Sequence, residues 1–260
     1  MNISEPFSDL ARYYDAIMSD VDYDRWLVVT TAVAELFPTK QFTHLDVGCG
    51  TSILMKRLLR YGWNTKGADL SLPMLRNGRR SGPRPSTVAA DMRALPFAGE
   101  FNYATCLFDS LNFLLTFEDL RTALQETASV LRDGGIFYFD VITERMVTEH
   151  FEDRKWSEKN VRFSTTWEGV YDRNTSIART AVTVNRQLPS VIEERIHTMD
   201  EVRRALEGAG FTLLGLFDAE NWHAPTRKTL RLDGVAVKGD AALHRKKLRG
   251  VEAFLRNAFE

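Results

Sequence analysis

Three aspartates and a pair of glycines carry most of the chemistry that this sequence can perform. The run Leu45-Asp46-Val47-Gly48-Cys49-Gly50-Thr51-Ser52 places its glycines directly behind a short apolar stretch. Without Cβ atoms, Gly48 and Gly50 let the backbone turn tightly and approach a ligand closely. Asp69 follows Asp46 by 23 residues, at the predicted end of the next strand. A carboxylate there can accept hydrogen bonds from both hydroxyls of a ribose, so the pair suits any adenosine-bearing cofactor. Asp46 could equally satisfy backbone amides in a turn, a common use of Asp.

Two details favour S-adenosylmethionine (SAM) over a dinucleotide. The nicotinamide fingerprint needs a third glycine where Ile53 stands, so that a helix N-terminus can meet the pyrophosphate. SAM has no phosphate but has an ammonium, and Asp46 supplies negative charge for it. Amides around Gly48 to Gly50 are then available for the carboxylate. A third element, Ala90-Asp91-Met92-Arg93, offers Asp91 to an adenine amino group and Met92 to the ring.

Together these segments resemble the class I SAM-dependent methyltransferases, as LDVGCGTS at 45–52, GADLSLPML at 67–75, AADMRALPF at 89–97, FNYATCLFDSLNFL at 101–114 and MDEVRRALEGAGF at 199–211. Ser52 departs from the third glycine usual in that family. The resemblance implies a Rossmann-like α/β fold, a seven-stranded sheet ordered 3-2-1-4-5-7-6 with the last strand antiparallel and helices on both faces. It also implies SAM as cofactor, S-adenosylhomocysteine as product, and a cofactor set of Tyr14, Asp46, Gly48, Cys49, Gly50, Asp69, Leu70, Met74, Asp91, Met92 and Phe108. The segment Tyr13 to Met18, with Tyr23 and Trp26, resembles a bacterial small-molecule branch in which it covers the cofactor. Tyr14 is the ring expected beside the sulfonium, where an aromatic face favours a cation, with Tyr13 the alternative.

The elements that must position these residues show in the periodicity. Strands are predicted at 44–47, 65–69, 86–90, 101–107 and 136–142, alternating with helices at 52–61, after Ser71, and at 117–131. Such alternation implies a parallel sheet covered on both faces. Ser52 and Ser71 are the expected N-caps, with Pro73 in the first turn of the second helix. Beyond residue 150 the pattern becomes antiparallel, with strands at 161–171, 176–186 and 190–197. A helix at 199–207, strands at 211–217 and 230–237, and a basic-faced helix at 240–259 close the chain. We expect one domain over 1–260, an N-terminal helical cover over 1–40 and an inserted antiparallel β lid over 150–198.

The acceptor side is less defined. Asp109 and Asn112 follow the fourth strand, where reacting groups gather or where a helix is capped. Asn112, Trp167, Tyr171 and Trp222 are candidates to line an acceptor pocket, as is Trp156. His197, His223 and Asp109 are the candidate bases, if the acceptor must lose a proton. Lid packing is the competing use of each.

The 260 residues are 44% hydrophobic and 27% charged, with a net charge of -1. Such a charge provides no basic field to attract nucleic acid. The two cysteines suggest neither a disulfide framework nor a thiolate metal site, and no metal is expected. With no apolar run long enough to span a bilayer and no signal pattern, a cytoplasmic enzyme is expected. The leading expectation is methyl transfer to a small-molecule N or O acceptor. RNA or protein methylation and a non-catalytic SAM-binding sensor or assembly protein are the alternatives; the sequence leaves the acceptor and the oligomeric state open.

Overall fold

The computed structural model describes residues 6–38, 41–80, 82–159 and 161–260. Two N-terminal helices, α1 (Pro6–Ile17) and α2 (Tyr23–Ala34), lead into the alternating part. There β1 (Thr43–Val47), α3 (Ile53–Arg60), β2 (Asn64–Asp69), α4 (Leu72–Gly78), β3 (Ser86–Ala89) and β4 (Phe101–Cys106) follow in turn. A 3-10 turn at Ser110–Phe113 precedes α5 (Phe117–Val130), β5 (Leu131–Ile142) and α6 (Glu144–His150). The antiparallel strands are β6 (Lys155–Lys159), β7 (Ser164–Asp172), β8 (Ile177–Val184) and β9 (Ser190–Arg195). The chain closes with α7 (Met199–Gly208), β10 (Phe211–Asp218), β11 (Arg231–Lys238) and α8 (Ala242–Phe259).

The main sheet runs β3-β2-β1-β4-β5-β11-β10, and β6 to β9 form a second sheet of four strands. The first five strands of the main sheet pair in parallel, and β11 runs antiparallel to both β5 and β10. Counting only the strands of this sheet, the order is 3-2-1-4-5-7-6; the chain-order labels shift because four strands intervene. The order reverses between β1 and β4, and the crevice at their carboxyl ends is where open α/β sheets bind ligands.

Local chemistry explains most boundaries. Ile136 to Ile142 are buried on both faces, hence their continuous apolar run rather than alternation. The strand begins earlier than the sequence suggests, because Leu131 already pairs with Phe101 before the Gly134 turn. Ser71 caps α4 by accepting from Met74 N, whereas Ser52, predicted to cap α3, does not. Its φ of 61° turns the hydroxyl away from the helix and toward Cys49 Sγ. Strand β6 and helix α6 went unforeseen, since KWSEK is too polar to read as a strand. Yet Trp156 of β6 stacks on Trp167 of β7 at 5.6 Å and 3°, which anchors that edge.

Two apolar layers sandwich the main sheet. Leu120, Leu124, Val202 and Leu206 pack one face, from α5 and α7. Val29, Val33, Leu54, Leu58, Leu248 and Val251 pack the other, from α2, α3 and α8.

Candidate functional site

Asp46 ends up buried at the switch point. Its Cα pairs in register with that of Thr105 on β4, and the Thr105 hydroxyl donates to Asp46 Oδ1 at 2.6 Å. Behind Thr105 lies His44, whose Nε2 is 3.0 Å from Thr105 Oγ1 and whose Nδ1 is 2.8 Å from Thr65 Oγ1. Thr105 spends its one proton on Asp46, so Nε2 must be the donor and Nδ1 the acceptor from Thr65. Burial keeps this imidazole neutral, with its pKa lowered to about 3. Burial also raises Asp46 to about 7, partly offset by the Thr105 bond. No Lys or Arg among the described residues pairs with it. A carboxylate facing a cleft without a cation fits the ammonium of SAM.

The glycine loop is held from beneath. Gly48 N and Cys49 N both donate to Ala68 O, at 2.8 and 3.1 Å, and Gly50 N donates to Asp69 Oδ2 at 2.7 Å. This corrects one expectation, because all three amides are engaged within the protein rather than left for a ligand carboxylate. Gly48 is required twice over: its φ is +73°, and a Cβ there would lie 2.5 Å from Ser110 Oγ. Gly50, at φ +52°, faces open space bounded by Met74 Cε. Cys49 is buried against Met55 and Leu75, a packing role.

Asp69 also accepts from Ser71 N at 2.8 Å, so its carboxylate braces both the glycine loop and the start of α4. Leu70 beside it is 62% exposed, an apolar side chain in solvent. Asp91 is gripped by Arg93, whose Nη2 donates at 2.6 Å and which also bonds Asp119. The guanidinium holds the Asp91 pKa below the usual carboxylate range. Met92 reaches toward Gly48.

Aromatic rings roof the cleft. Tyr14, Tyr23, Trp26 and Phe108 line it together with Asp46, Gly48, Gly50 and Leu107. Phe108 stacks near Tyr23 at 6.4 Å and meets Trp26 edge-on at 5.2 Å. Phe108 and Asp109 are consecutive left-handed residues, φ 61° and 55°, a strained turn of the kind that clusters at functional sites. Thr51 Oγ1 donates to Asp15 Oδ1 at 2.5 Å and so fastens α1 to the glycine loop. Burial raises the Tyr14 pKa and pushes Tyr23 up to about 12. Tyr13 instead packs on Phe163 at 5.1 Å inside the second sheet's core, so Tyr14 is the ring in the cleft.

Comparison with known proteins decides the family. A methyltransferase-domain family matches residues 45–139, the stretch from the glycine loop through β5. The Bacillus subtilis (strain 168) protein YqeM, named as a methyltransferase, is 31% identical over 166 residues, 62% of this chain and 66% of that one. The chain is a class I SAM-dependent methyltransferase. A Streptomyces fradiae dTDP-3-amino-3,6-dideoxy-alpha-D-glucopyranose N,N-dimethyltransferase is 31% identical over 131 residues, 49% of this methyltransferase and 51% of that enzyme. In fold, the methyltransferase is similar to a SAM-dependent methyltransferase from Clostridium acetobutylicum ATCC 824, with a TM-score of 0.75 at 23% identity, over 88% of this chain and 96% of that one.

Beyond the roof lies a charged cluster that the sequence did not announce. Arg231, at the start of β11, donates from Nη1 to Asp109 Oδ1 at 2.8 Å and also to Asp140 of β5. Asp109 N in turn donates to Asp140 Oδ2 at 3.2 Å. Glu194 of β9 brings a further carboxyl from the second sheet to this neighbourhood, near enough for the charges of Asp109, Arg231 and Asp140 to act on it. Burial raises Glu194 well above the carboxylate range and lifts Asp140 to about 6. Arg231 also lies over Phe108 and Trp26, 5.6 and 5.9 Å from their ring centres. It lines a cavity of about 380 Å³ with Arg25, Trp26, Tyr138, Met146 and Asp233. Trp26 belongs to both spaces.

Several acceptor-side expectations are corrected. Asn112 is fully buried, donating to Arg195 O at 2.9 Å and accepting from Ile142 N at 3.1 Å; it ties β9 to β5. Trp222 is fully buried too, stacked on Phe217 at 4.3 Å and donating from Nε1 to Asp233 Oδ2. Trp167 bonds Thr165 within the second sheet's core, and Tyr171 packs near Ile142 and donates to Glu144 Oε1. None of these four lines the cleft or the cavity. His197 is buried against Leu114 O at 2.9 Å, with its pKa lowered to about 4 by burial and then by Arg195. His223 is exposed in the turn after β10, outside both spaces. Only Asp109 of the three candidate bases stands near the cofactor cleft. Glu194, Asp140 and Arg231 were missed because isolated charges in strands look like solvated faces until the fold brings them together.

Proposed function

We propose that this methyltransferase moves the SAM methyl group to a nitrogen of a small polar molecule seated in the 380 Å³ cavity. The carrying observation is the shared wall: Trp26 lines both the cofactor cleft and that cavity. The volume of about 380 Å³ is in the range of small-molecule sites. Partial similarity to a sugar N,N-dimethyltransferase supports nitrogen as the acceptor atom. The two free, buried cysteines suit a cytoplasmic setting.

In this reading Asp46 faces the ammonium of SAM, Asp69 the ribose hydroxyls, and Asp91 with Met92 the adenine. Leu70 and Met74 flank the nucleoside, and Tyr14 with Phe108 presents ring faces toward the sulfonium. SAM supplies a methyl group on a good leaving group. The residues of this chain therefore act mainly by alignment and by keeping water out, worth up to about 7–11 kcal/mol in well-oriented intramolecular cases. Trp26 and Phe108, packed edge-to-face, form the partition across which acceptor and methyl must meet.

The test is transfer from labelled SAM by the full chain to fractionated metabolites, to amino sugars and to total RNA. Label in small amines is expected. Label in RNA alone would overturn the reading.

A further inference from the structure

His44, Thr65 and Thr105 are polar side chains in the middle of the main sheet. Successive side chains of a strand point to opposite faces, so His44 and Asp46 share one face of β1. Register sets Thr65 of β2 beside His44, and Thr105 of β4 beside Asp46. A hydrogen-bonded row results. Thr65 Oγ1 is 2.8 Å from His44 Nδ1, His44 Nε2 is 3.0 Å from Thr105 Oγ1, and Thr105 Oγ1 is 2.6 Å from Asp46 Oδ1. All four side chains are buried, and of the four only Asp46 lines the cofactor cleft. Trp63 and Tyr103 pack edge-to-face with the imidazole, ring centres 5.5 and 5.2 Å away, and fix its plane.

We infer that His44 is a positioning residue for the cofactor: held by Thr65 with its proton on Nε2, it turns the Thr105 hydroxyl onto Asp46 and stabilises that carboxylate as the anion that meets the SAM ammonium. This rests on the assignment of Asp46 to the ammonium above.

The Thr105 hydroxyl has one proton, and both Asp46 and His44 lie within its reach. With the imidazole proton on Nε2, that nitrogen donates to Thr105, and the hydroxyl proton is left to Asp46. With the proton on Nδ1, Nε2 draws the hydroxyl proton to itself. Two oxygens would then face each other at 2.6 Å with no proton between them unless Asp46 were protonated. A protonated Asp46 carries no charge for an ammonium. Thr65 decides between the two forms. Its buried hydroxyl has no other hydrogen-bond partner among the described residues, so its proton is satisfied only by donating to Nδ1.

A buried imidazole and two hydroxyls gain little stability over apolar side chains of similar shape, because each gives up water to make its bonds. Their use therefore lies in what they do to Asp46. Burial keeps the ring neutral, its pKa lowered to about 3, so it serves as a donor and not as a cation. Among the described residues, the charge that acts on Asp46 is that of Asp69, another carboxylate, which disfavours the anion. The oriented Thr105 hydroxyl opposes this from within the sheet.

Calorimetry of the full chain with two probes tests this. S-adenosylhomocysteine carries the ammonium, whereas 5′-methylthioadenosine keeps the adenosine and the sulfur but has no amino-acid end. His44→Leu should weaken S-adenosylhomocysteine about tenfold and leave methylthioadenosine within about twofold. His44→Leu combined with Thr65→Val, which leaves no orphaned hydroxyl beside the lost ring, should show the same selective loss in a folded chain. Equal loss of both probes overturns the inference. So does wild-type S-adenosylhomocysteine affinity in both His44→Leu variants while Asp46→Asn is impaired. Wild-type affinity in Asp46→Asn instead removes the ammonium assignment, and the inference falls with it. Nitrogen NMR of the histidine-labelled chain with S-adenosylhomocysteine bound, His44 assigned by its loss in His44→Leu, should find the proton on Nε2. A proton on Nδ1 overturns the inference whatever the affinities.

Discussion

Gly50 donates its backbone N–H to Asp69 Oδ2 at 2.7 Å, so the last residue of β2 holds the tip of the loop that follows β1. The two residues belong to neighbouring strand ends, and their bond ties the shape of the loop to the carboxylate expected to bind ribose.

Asp69→Ala should therefore weaken S-adenosylhomocysteine binding by about tenfold or more, since hydrogen bonds to a charged group are worth about 1.5–3 kcal/mol. Calorimetric titration checks it. Wild-type affinity in that variant would remove Asp69 from the ribose site.

Gly48→Ala should destabilise the fold as well as the site. The new Cβ would meet Ser110 Oγ at 2.5 Å and Cβ at 2.9 Å, on a backbone already at φ +73°. A cost of about 1–3 kcal/mol is expected from overpacking, read as a lower urea midpoint at unchanged slope. The double variant with Ser110→Gly should recover part of it; no recovery would locate the strain elsewhere.

His197 makes stability depend on pH. Burial holds its folded pKa at about 4, below the unfolded value of about 6.5. Between those values the unfolded chain binds a proton that the folded chain does not, so this contribution to stability rises with pH and is complete above about 6.5. Asp46, Asp140 and Asp233, all raised by burial, work in the opposite direction up to about pH 7. The clean measurement is therefore a difference. Wild-type stability minus that of His197→Asn should grow by about 3 kcal/mol from pH 4 to pH 7. A flat difference would mean that the imidazole is not held neutral.

Trp222→Phe removes the Nε1–H that donates to Asp233 Oδ2 at 2.8 Å and leaves that buried carboxyl with Tyr138 alone. A loss of about 1–3 kcal/mol is expected, with S-adenosylhomocysteine affinity unchanged. A variant of wild-type stability with impaired binding would return Trp222 to the site.

The gathering of the three aspartates toward one edge of the sheet was legible because they lie near strand ends in consecutive motifs. Asp46 lies one residue before the end of β1, Asp69 ends β2 and Asp91 follows β3 by two residues, and parallel connection delivers successive carboxyl ends to one edge. Local spacing therefore already implied convergence. The uses of the loop amides were not legible. Ala68 O and Asp69 Oδ2 take all three, and that depends on how β2 lies beside β1. The acceptor half was misread for a related reason. Trp222 and Trp167 are large aromatic side chains outside the motif-bearing strands, and from sequence a core ring and a pocket ring look alike. Their indole N–H groups found partners in Asp233 and Thr165, which fixed them inside.

By itself, then, the sequence determined the alternating architecture, the glycine turn and the three aspartates, because each follows from periodicity or from residues close in the chain. Only the tertiary structure decided that Asp109, Asp140, Glu194 and Arg231 meet. They come from four separate elements of two sheets, and their energetics exist only once burial has removed the water that would otherwise screen each of them.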